Sequence, residues 1–446
     1  MNTSPPKIRP VVLGRYRYSK WRWRLLVGLF DAIGLVLAWI WRVFRPKPVV
    51  DNPRGILVVQ LDHLGDAVLS SVLFPRLQAA YPEAKIDVLA SPSNREVFMS
   101  DSRLNQVHVA SRTWFERKPG RFALWSAVYA LGMRLRKERY DLGIDVRGDI
   151  LTVLVLAIAG IPRRAGWAMG GGGFLLTDVS PWVRGRHEVL SRLAILKTLG
   201  IEGEEPARVS INISDQDRLE IARALRDAWP GRESRIHAHA FALARVGGVG
   251  RDISRGYQPR QDEPEWLHAG RFGSEAPLLA IHLGAGTAAK RWPLAHWRVL
   301  IHKFLADGWR VVIVGGVDDG ELASALEPHA CLRNWTGRFA LAETAALLER
   351  ADLFIGPDSG PAHLAACAGV PSIVLFSGTN RAGQWRPWSR RSLVVRHRVP
   401  CGPCHRKICP LADHPCMTGL APERVHRAAK WWWSRLHNAE SPHAPI

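Results

Sequence analysis

Short apolar runs of strand length return along this 446-residue chain, each followed by a stretch with helical spacing, and no other feature narrows the fold as far. In GILVVQLDHLGDAVLSSVLFPRLQAAYP (55–82), a β-like run from Ile56 to Val59, with Leu61 beyond Gln60, meets a turn at Gly65, and a helix then reaches Tyr81. IDVLA (86–90), QVHVA (106–110) and YDLGIDV (140–146) read as further strands, with a helix-like stretch over 122–139 and more alternation to about Leu199. Strands separated by whole helices cannot pair as hairpins, so the pattern predicts a parallel, doubly wound sheet covered on both faces.

The alternation breaks and then repeats. A charged helix-like piece (215–229) gives way to RVGGVGRDISRGYQPRQDEPEW, which has no sustained period and reads as a linker or insertion. From Pro277 strands are expected at LLAIHLG (278–284), WRVVIVGG (309–316), DLFIG (352–356) and SIVLFSG (372–378), with helices around 297–305, 321–326 and 341–350. The expected organisation is therefore a basic, apolar segment at 1–50, a Rossmann-like domain at 51–205, a linker at 206–275 and a second Rossmann-like domain at 276–446. Two such domains facing a central cleft would offer it the carboxyl ends of their strands, where open α/β sheets bind ligands.

The charge is concentrated at the ends. Residues 1–50 carry ten basic side chains against one acidic, Asp31, and residues 381–446 carry twelve against three. An anionic membrane surface and an anionic small substrate suit such ends; nucleic acid is ranked last because no binding motif for it is visible. The apolar run LLVGLFDAIGLVLAWIW (25–41) has basic residues on both sides and Trp21, Trp23, Trp39 and Trp41 near its ends. Both flanks favour the same leaflet, which suits an interfacial, monotopic helix; a spanning anchor and a helix packed on the body are the alternatives, and Asp31 weighs against a span.

Several turns carry the chemistry. GPDSGPAHLAACAGVP (356–371) reads as strand, tight turn and helix start, which brings N–H groups and the positive end of a helix dipole to one point suited to phosphate. An ordinary βα turn with Asp358 as N-cap would show the same residues. AGTAAKRWP (285–293) follows another strand and offers Lys290 to a diphosphate, while Asp318, Asp319 and Glu321 of VDDGE (317–321) could hold ribose hydroxyls or serve a helix's first turn. In the first half, DHLGDA places Asp66 where a carboxylate could take a proton from an acceptor hydroxyl, or cap a helix beginning near Val68. A dehydrogenase or epimerase would show GxGxxG at that turn, and the chain does not.

Taken in order, GILVVQLDHLGDAVLSSVLFPRLQAAYP, HLGAGTAAKRWPLAHW, VVIVGG and GPDSGPAHLAACAGVPSIVLFSG resemble glycosyltransferase family 9, the family of the ADP-heptose:lipopolysaccharide heptosyltransferases. The resemblance implies a GT-B fold, an inverting mechanism independent of metal, and no required cofactor. It further implies a nucleotide-sugar donor in the C-terminal domain, ADP-heptose being favoured, and a lipid-linked saccharide acceptor in the N-terminal one. By position, Asp66 would be the catalytic base, Lys290 the donor-phosphate lysine with Thr287 before it, and Asp358 and His363 the donor-binding pair. Gly360, Pro361 and Ala362 would present backbone N–H groups to the pyrophosphate, and Glu321 falls in the nucleoside region. The expected location is cytoplasmic, peripheral or monotopic on the inner face of the cytoplasmic membrane. Another nucleotide-sugar donor, and a non-catalytic nucleotide-sugar-binding protein, remain as alternatives.

Six cysteines in 446 residues make no disulfide scaffold. Cys401, Cys404, Cys409 and Cys416 cluster in PCGPCHRKICPLADHPCMTG, a spacing open to a structural zinc site or to free thiols in a loop.

Overall fold

The computed structural model describes residues 16, 21–44, 50–110, 121–203, 207–230 and 276–439. The glycine-rich stretch expected to be a linker lies outside the described residues. Contacts divide the chain into two compact units, Met1–Glu204 and Glu205–Ile446.

The first unit holds β1 (Gly55–Gln60), β2 (Lys85–Ala90), β3 (Gln106–Val109), β4 (Leu142–Asp145), β5 (Arg163–Gly166) and β6 (Asp178–Val179). Their order is β3-β2-β1-β4-β5-β6 and every pairing is parallel, with Ile56 beside Ile86 on one side and Leu142 on the other. Because β1 is central and covered on both faces, Ile56 to Gln60 are all buried, which explains an apolar run without alternation. Leu57, Val59 and Leu89 pack with Val128, Leu131 and Leu135 of the helix Arg121–Arg136 and with Val155 and Leu156 of the helix Ile150–Ile158. The helices Leu64–Ser70 and Leu73–Ala80 pack with the helix Glu188–Thr198. The apolar N-terminal segment is one helix, Trp21–Phe44, packed against the short turn Gly173–Leu175.

The second unit repeats the plan with β7 (Leu278–Ile281), β8 (Arg310–Ile313), β9 (Leu332–Asn334), β10 (Leu353–Pro357), β11 (Ser372–Leu375) and β12 (Ser392–Val395). The order is β12-β11-β10-β7-β8-β9, again parallel throughout. One core joins β7, β8 and β10 to Trp297 and Phe304 of the helix Leu294–Ala306 and to Val425 and Ala429 of the helix Pro422–Ala439. The other joins the sheet to the helices Leu341–Arg350, Gly360–Ala368 and Asp215–Ala228, the last contributing Ile221 and Leu225. Ser214 and Asp217 start that last helix with reciprocal hydrogen bonds, and Arg218 fastens it to Glu349 at 2.9 and 3.1 Å.

Strand succession changes direction between β1 and β4 in the first sheet and between β7 and β10 in the second. A crevice opens outside the carboxyl ends of the strands at such a switch point, because the flanking connections leave to opposite faces. Of the turns singled out in the sequence, those after β1, β7 and β10 lie at these two points, and VDDGE follows β8, the strand beside β7.

Candidate functional site

In the first unit, β1 ends at Gln60 and the chain turns through Asp62 and His63 into the helix Leu64–Ser70. His63 is the N-cap residue, so Asp66 sits inside the first turn and caps no helix near Val68. Its side chain is 17% exposed and receives Arg192 Nη2 at 3.2 Å. Arg192, 1% exposed, also donates to Glu188 Oε2 at 2.7 Å and to Ser70 Oγ at 2.8 Å, and Gln60 Nε2 and Ser70 Oγ hold the Asp66 carbonyl at 3.0 and 2.8 Å. The carboxylate is thus fixed by its own backbone and one buried guanidinium. Burial, then the charge of Asp62 and of Glu188, push the Asp66 carboxyl up to about 7 against the pull of Arg192.

Across the switch point, Asp145 at the end of β4 is fully buried and takes the N–H groups of Arg147 and Gly148 at 3.2 and 2.9 Å. Burial pushes its carboxyl up to about 7 as well. The Arg147 turn it shapes places a partly exposed guanidinium 3.4 Å from Asp62. This end of the sheet therefore presents an acidic pair, one buried arginine and one accessible arginine.

In the second unit, β10 runs into the helix Gly360–Ala368, whose N-cap is Ser359 without a side-chain capping bond, so Asp358 is no N-cap. Asp358 is 5% exposed and pairs with Lys290 Nζ at 2.7 Å, while Asn380 Nδ2 donates to the same oxygen at 2.9 Å. Lys290 ends the short turn Ala288–Lys290 after Thr287, whose buried hydroxyl has no hydrogen-bond partner among the described residues. Two residues expected from separate sequence segments therefore form one ion pair at the mouth of a helix N-terminus. His363 is buried in the first turn of that helix.

One expectation needs correction. Pro361 has no N–H, and the Ala362 N–H donates to Ser359 O at 3.2 Å, so of the three only Gly360, at the first helical position, keeps a backbone donor outside this turn. In the acidic turn it is Asp319 that its neighbours hold. Glu321 and Asp318 are exposed, whereas Asp319 receives His282 Nε2 at 3.1 Å, and His282 Nδ1 meets Ser359 Oγ at 3.0 Å. Burial works to raise the Asp319 carboxyl, but the His282 hydrogen bond and charge and the Gly316 N–H carry it below its ordinary value. His282, 4% exposed at the end of β7, thereby ties the turns after β7, β8 and β10 together. A Cβ on Gly284 would lie 1.7 Å from Asp319 Oδ1, which is why that turn is glycine.

The cysteine-rich loop braces the lysine turn from behind. Ala289 N donates to Lys407 O at 3.0 Å, His414 Nε2 donates to Ala289 O at 3.1 Å, and Trp292 Nε1 donates to Leu420 O at 3.0 Å. Cys401, Cys404, Cys409 and Cys416 line one cavity of about 340 Å³ with His414, and burial followed by the neighbouring thiols pushes the Cys416 thiol up. Among the described residues no three His, Cys, Asp or Glu side chains are disposed to hold a metal ion, so the zinc reading gains no support.

Arg192, Asp145, His282 and Asn380 carry no mark in the sequence alone. Arg192 sits in an apolar helix and the others in strand ends or loops, where only the fold supplies a partner; the basic residue inside SRLAIL was the one available hint.

Comparison with known proteins identifies the fold and the family. Lipopolysaccharide heptosyltransferase 2 of Escherichia coli K12 is 26% identical over 399 residues, covering 83% of this chain and 96% of that protein. The solved structure of E. coli ADP-heptose lps heptosyltransferase II superposes with a TM-score of 0.61 at 22% identity, over 86% of this chain and 99% of that one. E. coli heptosyltransferase WaaC with ADP gives 0.56 at 16% identity, over 85% and 99%. The two parallel six-stranded sheets are thus those of a GT-B fold. With the family model of glycosyltransferase family 9 (heptosyltransferase) matching residues 128–414, the chain belongs to glycosyltransferase family 9 and is a glycosyltransferase.

Proposed function

We propose that the chain moves a heptose from ADP-heptose onto a lipid-linked saccharide of the lipopolysaccharide core, at the inner face of the cytoplasmic membrane. The observation that carries this reading is Asp66: a fixed, partly accessible carboxylate pushed up to about 7, poised to gain a proton near neutral pH. Asp66 takes the proton of the acceptor hydroxyl as that oxygen bonds to the anomeric carbon. The bond from that carbon to the diphosphate oxygen breaks, and ADP leaves with the electron pair. A single displacement inverts the anomeric centre.

The second unit holds the donor. Lys290 and the N-terminus of the helix Gly360–Ala368 supply positive charge where the departing diphosphate gains negative charge, a task that needs no metal ion when fixed donors are aimed there. Asp358 aims Lys290, Asn380 aims Asp358, and the His282, Asp319 and Ser359 chain fixes the turns around them. His363, Thr287 and Glu321 complete the donor side of the proposal.

The test is incubation of the purified protein with ADP-heptose, UDP-sugars and GDP-sugars in parallel, with a core-saccharide acceptor and mass spectrometry of the products. Consumption of ADP-heptose with inversion, lost in Asp66→Asn, is the expected result. Consumption of another donor alone would overturn the heptosyl assignment, and an Asp66→Asn protein with full activity would overturn the base.

A further inference from the structure

The helix Trp21–Phe44 has two unlike sides. One is docked: Asp31 is fully buried, accepting Tyr16 OH at 2.9 Å and Gly172 N at 2.7 Å. Gly172 points its N–H there from a left-handed conformation, with φ of +78°, that favours glycine. Phe30 meets Phe174 edge to face at 5.4 Å, and a Cβ on Gly34 would lie 2.3 Å from the Phe174 ring. The other side is apolar and open, with Leu26, Leu29, Ile33 and Leu37 each more than half exposed and Trp23 and Trp39 toward its ends.

A helix gripped along one side by its own domain cannot be surrounded by lipid, and a span would strip the Asp31 carboxylate of both partners. The residues before and after it are basic, and Asp31, the one acidic residue among the first 50, is turned inward. Indole rings at the ends of an apolar face with cationic flanks match a headgroup boundary. A second feature lies in the same layer. Trp125, Tyr129 and Met133 recur every fourth residue, exposed, along the helix Arg121–Arg136, which packs on the helix Ile150–Ile158, and that helix packs on the turn that grips Asp31.

We propose that the helix Trp21–Phe44 is a monotopic membrane foot, lying in the plane of one leaflet of an anionic bilayer and clamped to its domain through Asp31, with Trp125 and Tyr129 as a second contact. The membrane, rather than a second copy, is the occupant because the flanking charge is of one sign: it attracts anionic headgroups and repels its own kind. The inference deepens the proposed inner-membrane location and is independent of the sugar transferred.

The test floats full-length protein with vesicles of phosphatidylcholine alone or with phosphatidylglycerol added. Binding to the anionic vesicles is expected, weakened by salt and reduced at least ~10-fold in Leu29→Glu/Leu37→Glu. Trp125→Glu/Tyr129→Glu is expected to weaken binding without abolishing it; unchanged binding would overturn the second contact. In cells, protease tags at the two chain ends should be cleaved from the same side of the membrane. Cleavage from opposite sides, equal binding to neutral vesicles, no binding, or a dimer that Leu29→Glu/Leu37→Glu splits in solution would each overturn the foot. Transfer to a lipid-free saccharide by Leu29→Glu/Leu37→Glu reads the transferase separately, so failure of either reading is distinguishable.

Discussion

Replacing Arg192 by Gln tests how the surroundings of Asp66, the proposed base, set its protonation. The guanidinium lies 3.2 Å from Asp66 Oδ1 and, among the described residues, is the cation that opposes the burial and acidic neighbours that push the carboxyl up to about 7. Two unit charges about 4 Å apart interact by about 1 kcal/mol in water and about 4 kcal/mol at an effective dielectric of 20. A carboxylate 17% exposed lies between these limits. Removing roughly 1.4–3 kcal/mol raises the apparent value by about 1–2 pH units, toward 8–9. The ionised fraction at pH 7 then falls from about half to about 9% or 1%, and kcat/KM by about 5- to 50-fold, with recovery as pH rises. The assay is ADP release from pH 5.5 to 9.5, with Arg192→Lys in parallel and a thermal melt as the control for folding. Arg192→Lys should keep its acid limb nearer 7 because the charge remains. An acid limb still near 7 in a folded Arg192→Gln protein would refute the electrostatic reasoning, and an equal loss at every pH would assign Arg192 a purely positional part.

Asp145 gives a stability prediction with a definite sign. Its folded value, about 7, lies above the ordinary 3.8, so the folded state holds its proton more tightly. That contribution is complete below about 3.8 and is lost as pH rises through about 7; the gap corresponds to at most about 4 kcal/mol. Asp145→Asn should flatten the fall in Tm between pH 4 and pH 8. Lys290→Met leaves the buried Asp358 with Asn380 but without its cation, and should raise the donor KM by ~10- to 100-fold with a smaller change in acceptor KM; an unchanged donor KM would remove Lys290 from the phosphate site. Gly284→Ala drives a methyl into Asp319 and should lower Tm by several degrees and weaken ADP binding measured by calorimetry. Unaltered ADP affinity would mean that the His282, Asp319 and Ser359 chain does not shape the donor turns.

Much of this was legible in the sequence because the central strands are the most apolar ones. β1, β7 and β10 are covered on both faces, so their runs are continuous and their ends mark the switch-point turns where Asp66 and Asp358 lie. β5 reads RRAG and β6 has two residues; neither carries a pattern that reveals it, since strands near a sheet edge need less apolar surface. The wider apolar segment of 25–41 was visible, but its clamp was not: Tyr16 lies 15 residues from Asp31 and Gly172 lies 141 away. The same holds for the different settings of Asp319 and Glu321. Both are acidic residues in one turn, and only the placement of His282 at the end of the neighbouring strand separates them.

Each sheet carries its own switch point, with its own turns and its own buried braces. Among the described residues, the hydrogen-bond and ion-pair partners shown for Asp66 belong to the first unit and those shown for Lys290 and Asp358 to the second. Selection can therefore act on the two substrates separately. On the proposed function, a lineage can trade its acceptor through changes in the first unit while the Lys290–Asp358 pair stays intact, and a grafted second unit should bring its donor preference with it.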